Sequence, residues 1–198
     1  NPVIVLADGY IGQVTEPVEL RAPSPRIIGA KPWAVTGASG RQKNVIRSIH
    51  LQPEVLEAHN LHLAQKFADM EANEVRYQGL YLEDAELVVV AYGSVSRVAQ
   101  TAIKQARDNG YRIGMLRPIS LYPFSYKAIE NLLGKVKAFL VPELSLGQMV
   151  EDVRLAVGKA VPVFQVHRLG GMVLSTEEIY QAIANAARDV GLQAENPL

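Results

Sequence analysis

The 198-residue sequence contains no cysteine, which excludes disulfides, thiolate zinc sites and iron–sulfur clusters ligated by this chain's own thiolates. It also lacks a charge excess. Lys plus Arg and Asp plus Glu each number 20, so composition offers no electrostatic case for nucleic acid or an anionic membrane as partner. No apolar run approaches the roughly 20 residues of a membrane span, and no signal-peptide pattern occurs. Together these absences predict a cytoplasmic protein whose partners are proteins or small molecules.

What the sequence does contain is one complete βαβ unit. Leu87-Val88-Val89-Val90-Ala91 is continuously apolar and β-branched at its centre, and it runs into Tyr92-Gly93-Ser94. Val95, Val98, Ala99, Ala102, Ile103 and Ala106 then recur at helical spacing. The helix should close at Asn109-Gly110, where glycine takes the left-handed conformation at no steric cost. A second apolar run, Tyr111 to Leu116, follows. Parallel strands need a crossover of this length, so the chain builds a parallel or mixed sheet with helices on its faces.

Around that unit the other elements fall in order. Val3 to Ala7 reads as a strand with nothing before it to cover its faces, which predicts that residues 1–25 are the end of an upstream domain and pack as a detached strand or are poorly ordered. Four prolines between Pro17 and Pro32 favour an extended connection. Ile27 to Ile49 shows neither strand nor helix periodicity, leaving a contact arm or a mobile loop. Pro53 opens a helix to about Asn73, roughly 30 Å long at 1.5 Å per residue, with Leu56, Leu63, Phe67 and Met70 on one face for docking against another domain or subunit. Residues 26–75 are thus linker and long helix. Glu74 to Tyr81 alternates like an edge strand. Strands at Ala138 to Val141 and Val161 to Val166, and helices led by Ile129, Val150 and a Ser175/Glu178 capping box, complete a domain over 76–192. Residues 193–198 form a polar tail.

In open α/β sheets ligands collect at the carboxyl ends of strands. Those ends carry Tyr92-Gly93-Ser94, Arg117-Pro118, Glu143 with Ser145, Gly147 and Gln148, and His167-Arg168. The candidate anion or subunit-interface site is therefore Gly93, Ser94, Arg117, Glu143, Ser145, Gly147 and Gln148. Ser145 is expected to cap the helix beyond it, with free backbone amides and the Arg117 cation receiving a carboxylate or phosphate. The plainer alternative is that Ser145 only caps and Arg117 pairs with Glu143. Gly93-Ser94 has neither the three-glycine dinucleotide spacing nor a P-loop lysine. His59 and His62 lack further ligands for a metal, and Ser94, Ser120 and Ser145 sit in no nucleophile elbow. Asp8-Gly9 reads as a turn, with a substrate-edge role as the lesser reading. No catalytic set emerges.

The stretches Leu6-Ala7-Asp8-Gly9-Tyr10-Ile11-Gly12-Gln13, Lys31-Pro32-Trp33-Ala34-Val35-Thr36-Gly37, Ala91-Tyr92-Gly93-Ser94, Leu116 to Phe124 and Val141 to Gln148 resemble the alpha subunit of the 2-oxoacid:ferredoxin oxidoreductases. They cover almost the whole chain in order. The resemblance implies the end of a thiamine-diphosphate pyrimidine domain, a linker, and a transketolase C-terminal-like domain: three-layer α/β/α with a five-stranded, mostly parallel mixed sheet whose antiparallel strand falls near Glu74 to Gly79. It implies oxidative decarboxylation of a 2-oxoacid to an acyl-CoA, with electrons leaving through iron–sulfur clusters to ferredoxin. Thiamine diphosphate, magnesium and the clusters would then belong to the full complex, with a thiamine-binding beta chain and a cluster-bearing chain as partners. This chain alone would hold no cofactor and be inactive. Lys31 to Gly37 and Glu16 to Glu19 look more like the branched-chain or 2-oxoglutarate members than the pyruvate ones. Two further readings stand beside it: the C-terminal domain of a transketolase or of a dehydrogenase E1 beta chain, and a free-standing flavodoxin-like ligand-binding module.

Overall fold

A strand without polar alternation is stable only where both of its faces are covered. The computed structural model, which describes residues 2–20, 22–23 and 29–194, meets that demand with ten regular elements among the described residues beyond one short 3-10 turn at Ile11–Gln13. In chain order they are α1 (Pro53–Asn73), β1 (Tyr77–Leu80), β2 (Leu87–Val90), α2 (Gly93–Asp108), β3 (Ile113–Pro118), α3 (Tyr126–Glu130), β4 (Ala138–Glu143), α4 (Met149–Val157), β5 (Val163–His167) and α5 (Thr176–Asp189).

The strands lie in the order β1-β3-β2-β4-β5, with β1 antiparallel to β3 and the remaining pairs parallel. Val89 of β2 stands between Met115 of β3 and Leu140 of β4. Alternation along each strand then sorts the apolar residues into two cores. Leu87, Val89, Met115 and Leu140 meet Ile103 of α2 and Ile179 and Ile183 of α5 on one face. Val88, Val90, Leu116, Phe139 and Val141 meet Ile129 of α3 and Val150 and Val153 of α4 on the other. This is the expected three-layer α/β/α arrangement with a five-stranded mixed sheet, and the antiparallel edge strand falls within the expected 74–81. The capping box of α5 is also as expected: Ser175 Oγ accepts from Glu178 N, and the Glu178 carboxylate accepts from Ser175 N.

One expectation needs correction. Val3 to Ala7 is not a strand, and Val3, Ile4 and Val5 are each more than 80% exposed. An apolar run becomes a strand only when a neighbour takes its backbone hydrogen bonds, and among the described residues none pairs with it. Helix α1 has its expected bounds and buries none of its residues within this chain, which leaves the face of Leu56 and Phe67 exposed.

The chain divides into two compact units, Asn1–Val14 with Met70–Leu198, and Thr15–Asp69. Within the second, Asn44 Nδ2 donates to the carbonyls of Pro32 (2.6 Å) and Ala34 (3.0 Å), so the stretch around Trp33 is tied by side-chain bonds rather than by a regular backbone pattern. The expected boundary at 25/26, Arg21 and Ser24 to Arg26 of the proline-rich connection, and residues 195–198 of the tail lie outside the described residues. Among the described residues no helix is long and apolar enough to cross a membrane.

Candidate functional site

Sheet order locates the crevice. The chain leaves β2 through α2 on one face toward β3, and leaves β4 through α4 on the opposite face toward β5. Since β2 and β4 are neighbours, the two connections diverge between their carboxyl ends, which is the switch point where such sheets open a cleft. Its walls are Tyr92-Gly93-Ser94 and Glu143 to Gln148. The sequence-predicted residues of those two loops are therefore brought together, and Arg117 is not.

Glu143 dominates one wall. It ends β4, is only 4% exposed, and both carboxylate oxygens are filled from within the chain. Oε2 accepts from Ser145 Oγ (2.9 Å), Gln148 N (2.9 Å) and Met149 N (3.2 Å), while Oε1 accepts from Val150 N (2.7 Å). These are the amides at the mouth of α4 that the sequence leaves free for an incoming anion. The anion is the chain's own. Ser145 is accordingly not the N-cap: that position is Gln148, and Ser145 instead donates to Glu143 and accepts from Gly147 N at 3.3 Å. Gly147 makes the loop possible, since its φ is +140° and a Cβ there would stand 3.0 Å from Val150 Cγ1.

Arg117 does not pair with Glu143, and alternation explains why. Arg117 shares the parity of Met115, on the α2/α5 face, whereas Glu143 shares that of Val141, on the α3/α4 face, with β2 between them. The hydrogen-bond partner of Arg117 among the described residues is Gln78 Oε1, at 3.4 Å across the β1–β3 pair.

On the other wall Gly93, with φ +58°, opens α2 and Ser94 follows it. Ser94 Oγ donates to Asp8 Oδ2 at 2.6 Å, and Asp8 Oδ1 accepts from Ile11 N at 2.7 Å. The Ser94 hydroxyl, and after it the Ile11 amide, hold the Asp8 carboxyl below its usual range. Asp8-Gly9 is therefore a turn, as read, but one anchored at the switch point. Burial, and secondarily the charge of Glu143, push the Tyr92 phenol up. A groove of about 380 Å3 runs between Tyr10 and Gln13 on one side and Leu144, Met172 and Val173 on the other.

Other polar groups at and beyond this edge tie elements of the fold together. Arg168 N donates to the Glu143 carbonyl at 3.2 Å and its guanidinium pairs with Glu178, tying β5 to the start of α5. Ser120 Oγ accepts from Arg76 N (2.9 Å) and donates to Pro123 O (3.0 Å), fixing the turn beyond β3. His59 stacks obliquely on His50, with ring centroids 4.7 Å apart. The sequence reading misses the Tyr126 hydroxyl, which donates to Asp152 Oδ1 at 2.5 Å; that bond, more than burial, pushes the phenol up to about 12. Its only signal is that Tyr126 and Asp152 flank apolar positions of α3 and α4.

This donor set does not fit a metal–diphosphate or cluster site. There is no thiolate in the sequence, no group of three potential metal ligands among the described residues, and the α4 amides suited to a phosphate are filled by Glu143.

Residues 85–179, which take in the whole carboxyl edge just described, match the family described as pyruvate:ferredoxin oxidoreductase core domain II. The chain is 43% identical over 190 residues to the ketoisovalerate oxidoreductase subunit VorB of Methanothermobacter marburgensis, covering 94% of this chain and 53% of the relative. It is 30% identical over 159 residues to the 2-oxoglutarate synthase subunit KorA of Archaeoglobus fulgidus, covering 77% of this chain and 44% of the relative. It spans about half the length of such curated relatives. Among solved structures, the 2-oxoglutarate:ferredoxin oxidoreductase from Magnetococcus marinus shares the fold, with a TM-score of 0.58 at 15% identity over 69% of this chain and 24% of that one. The core domain behind the switch point and the similarity that runs through nearly all of the sequence make this chain similar to the subunits of the 2-oxoacid:ferredoxin oxidoreductases.

Proposed function

We propose that the chain is part of the alpha subunit of a cytoplasmic, thiamine-diphosphate-dependent 2-oxoacid:ferredoxin oxidoreductase, and that the acid decarboxylated is a branched-chain 2-oxoacid. The observation that carries the substrate is the 43% identity to a ketoisovalerate oxidoreductase subunit across 94% of the chain, against 30% across 77% for a 2-oxoglutarate synthase subunit. In this reading residues 1–25 end a pyrimidine-binding domain, 26–75 link it onward, 76–192 form the transketolase C-terminal-like domain, and 193–198 are a tail. The chain contributes assembly and the rim of the active site. Thiamine diphosphate with its magnesium, and the clusters that pass electrons to ferredoxin, are held by other parts of the complex, in keeping with the cysteine-free sequence.

The site residues take separate roles. Glu143, Ser145, Gly147 and Gln148 build a rigid knuckle at the mouth of α4, Gly93 and Ser94 anchor the turn at Asp8, and Arg117 offers its cation to a carboxylate of a facing subunit or to an anionic group of substrate or CoA. The test is the complete complex, purified with its partner chains and assayed by viologen reduction with CoA. At least a ten-fold higher kcat/KM for ketoisovalerate than for 2-oxoglutarate is expected, about 1.4 kcal/mol of transition-state discrimination. The opposite preference moves the chain to the 2-oxoglutarate enzymes, and turnover by the chain alone ends the subunit reading.

A further inference from the structure

We infer that the crevice at the switch point is a docking site for the chain's own residues 8–13, and that Ser94 is the positioning residue which, through Asp8, seats them there. The inference rests on geometry within this chain and not on the proposed reaction.

Three observations carry it. First, the Ser94 Oγ to Asp8 Oδ2 bond of 2.6 Å joins residues 86 positions apart, at a place where the sheet topology opens a cleft. Second, the anchored residue also shapes the segment. Asp8 Oδ1 takes the Ile11 amide (2.7 Å) and its carbonyl takes the Gly12 amide (3.1 Å), so turn and anchor share one side chain. Third, apolar packing holds the segment only weakly: Tyr10 is 56% exposed, Ile11 is only partly buried, and Val3, Ile4, Val5 and Leu6 just before it are all at least 70% exposed. A polar anchor is what remains. The charge also suits the place: Asp8 meets Ser94 in the first turn of α2, where the helix dipole favours an anion, while the corresponding position on α4 is already taken by Glu143. Once seated, Tyr10 and Gln13 face Leu144 and Met172 across the groove, and the cleft is lined partly by the segment itself.

Hydrogen exchange of the full chain tests this, read at the amides of Ile11, Gly12, Gln13 and Val14, with β2 and β4 as internal references. Ser94→Ala removes the long-range anchor and leaves the local Asp8–Ile11 bond intact, Asp8→Asn weakens both, and Ser94→Thr retains the hydroxyl. Docking predicts roughly five-fold faster exchange at residues 11–14 in Ser94→Ala and at least as much in Asp8→Asn, as loss of a bond of ordinary net strength implies. Ser94→Thr should stay near wild type, and β2 and β4 should be unchanged in all three. Faster exchange in Asp8→Asn alone would show a purely local turn and overturn the inference. So would equal exchange in every variant, or a Ser94→Thr that behaves like Ser94→Ala.

Discussion

Glu143 Oε1 accepts the backbone amide of Val150 at 2.7 Å, tying the last residue of β4 to the first turn of α4 seven positions later. A capping side chain ordinarily stands next to its helix. Here the cap comes from the end of the preceding strand, and the loop 144–147 is bent so that a buried carboxylate reaches the amides at the helix mouth. With four donors converging on it, the carboxylate is the most heavily bonded side chain at this edge.

Glu143→Ala should therefore destabilise the chain by about 3 kcal/mol or more, because buried amides lose their acceptor as well as the bond itself. Ser145→Ala, which removes one of the four donors, should cost about 1 kcal/mol. Chemical denaturation of both variants checks the ordering. Equal, small losses would mean that water fills the place of the carboxylate.

Gly147→Ala tests the loop from the backbone side. At φ +140° an L side chain is strained, and its Cβ would stand 3.0 Å from Val150 Cγ1 and 3.3 Å from Gln165 Nε2. A loss of about 1–3 kcal/mol is expected in the same denaturation measurement. Gly134→Ala is the control, since its φ of +84° imposes backbone strain while nothing lies within 4 Å of its Cβ; the excess of the first over the second is the steric part.

These elements show what the sequence can and cannot carry. The β2 run was legible because four consecutive buried residues leave no alternative to a strand covered on both faces, and the Ser175/Glu178 box because both of its bonds are local. The same locality misleads at Ser145, which stands where a cap is expected; only the chain path out of β4 brings the Glu143 carboxylate to those amides instead. Arg117 and Glu143 both read as strand-end residues. That they face opposite layers follows from the register of β3 and β4 about β2, which no single strand reveals. The run at Val3 to Ala7 has strand composition but no pairing neighbour among the described residues, and composition is silent about neighbours. The partner of Asp8, 86 positions away, leaves no trace in local pattern.

Stability should respond to acid through Glu178 in a defined direction. The Ser175 backbone amide first, then the Ser175 hydroxyl and Arg168, lower its pKa below the ordinary glutamate value. A carboxyl with a depressed folded-state pKa contributes stability above its unfolded value and loses it as pH falls through the folded one. NMR titration should place the Glu178 midpoint below that of an ordinary glutamate, and Ser175→Ala should raise it. A midpoint at the ordinary value in the wild type would show that the capping box is not held in solution.

Arg117 separates a structural role from a recognition role. It is half-buried at the carboxyl end of β3, its bond to Gln78 is long at 3.4 Å, and no carboxylate pairs with it among the described residues. A guanidinium in that position keeps most of its donors for something else, and its planar fork suits a carboxylate or phosphate better than a lysine does. If its task lies within the fold, Arg117→Ala should lower the melting temperature and leave assembly and kinetics of the complex unchanged. If it receives an anion from a facing subunit or from substrate or CoA, the same variant should stay within about 0.5 kcal/mol of wild-type stability. It should then weaken subunit assembly or raise the Michaelis constant by roughly ten-fold or more. Arg117→Lys should recover only part of that loss, because the charge returns without the bidentate geometry. Gln78→Ala, which removes the one hydrogen-bond partner described, should leave both assembly and kinetics near wild type. A melting-temperature drop in Arg117→Ala with normal assembly and kinetics would end the recognition role.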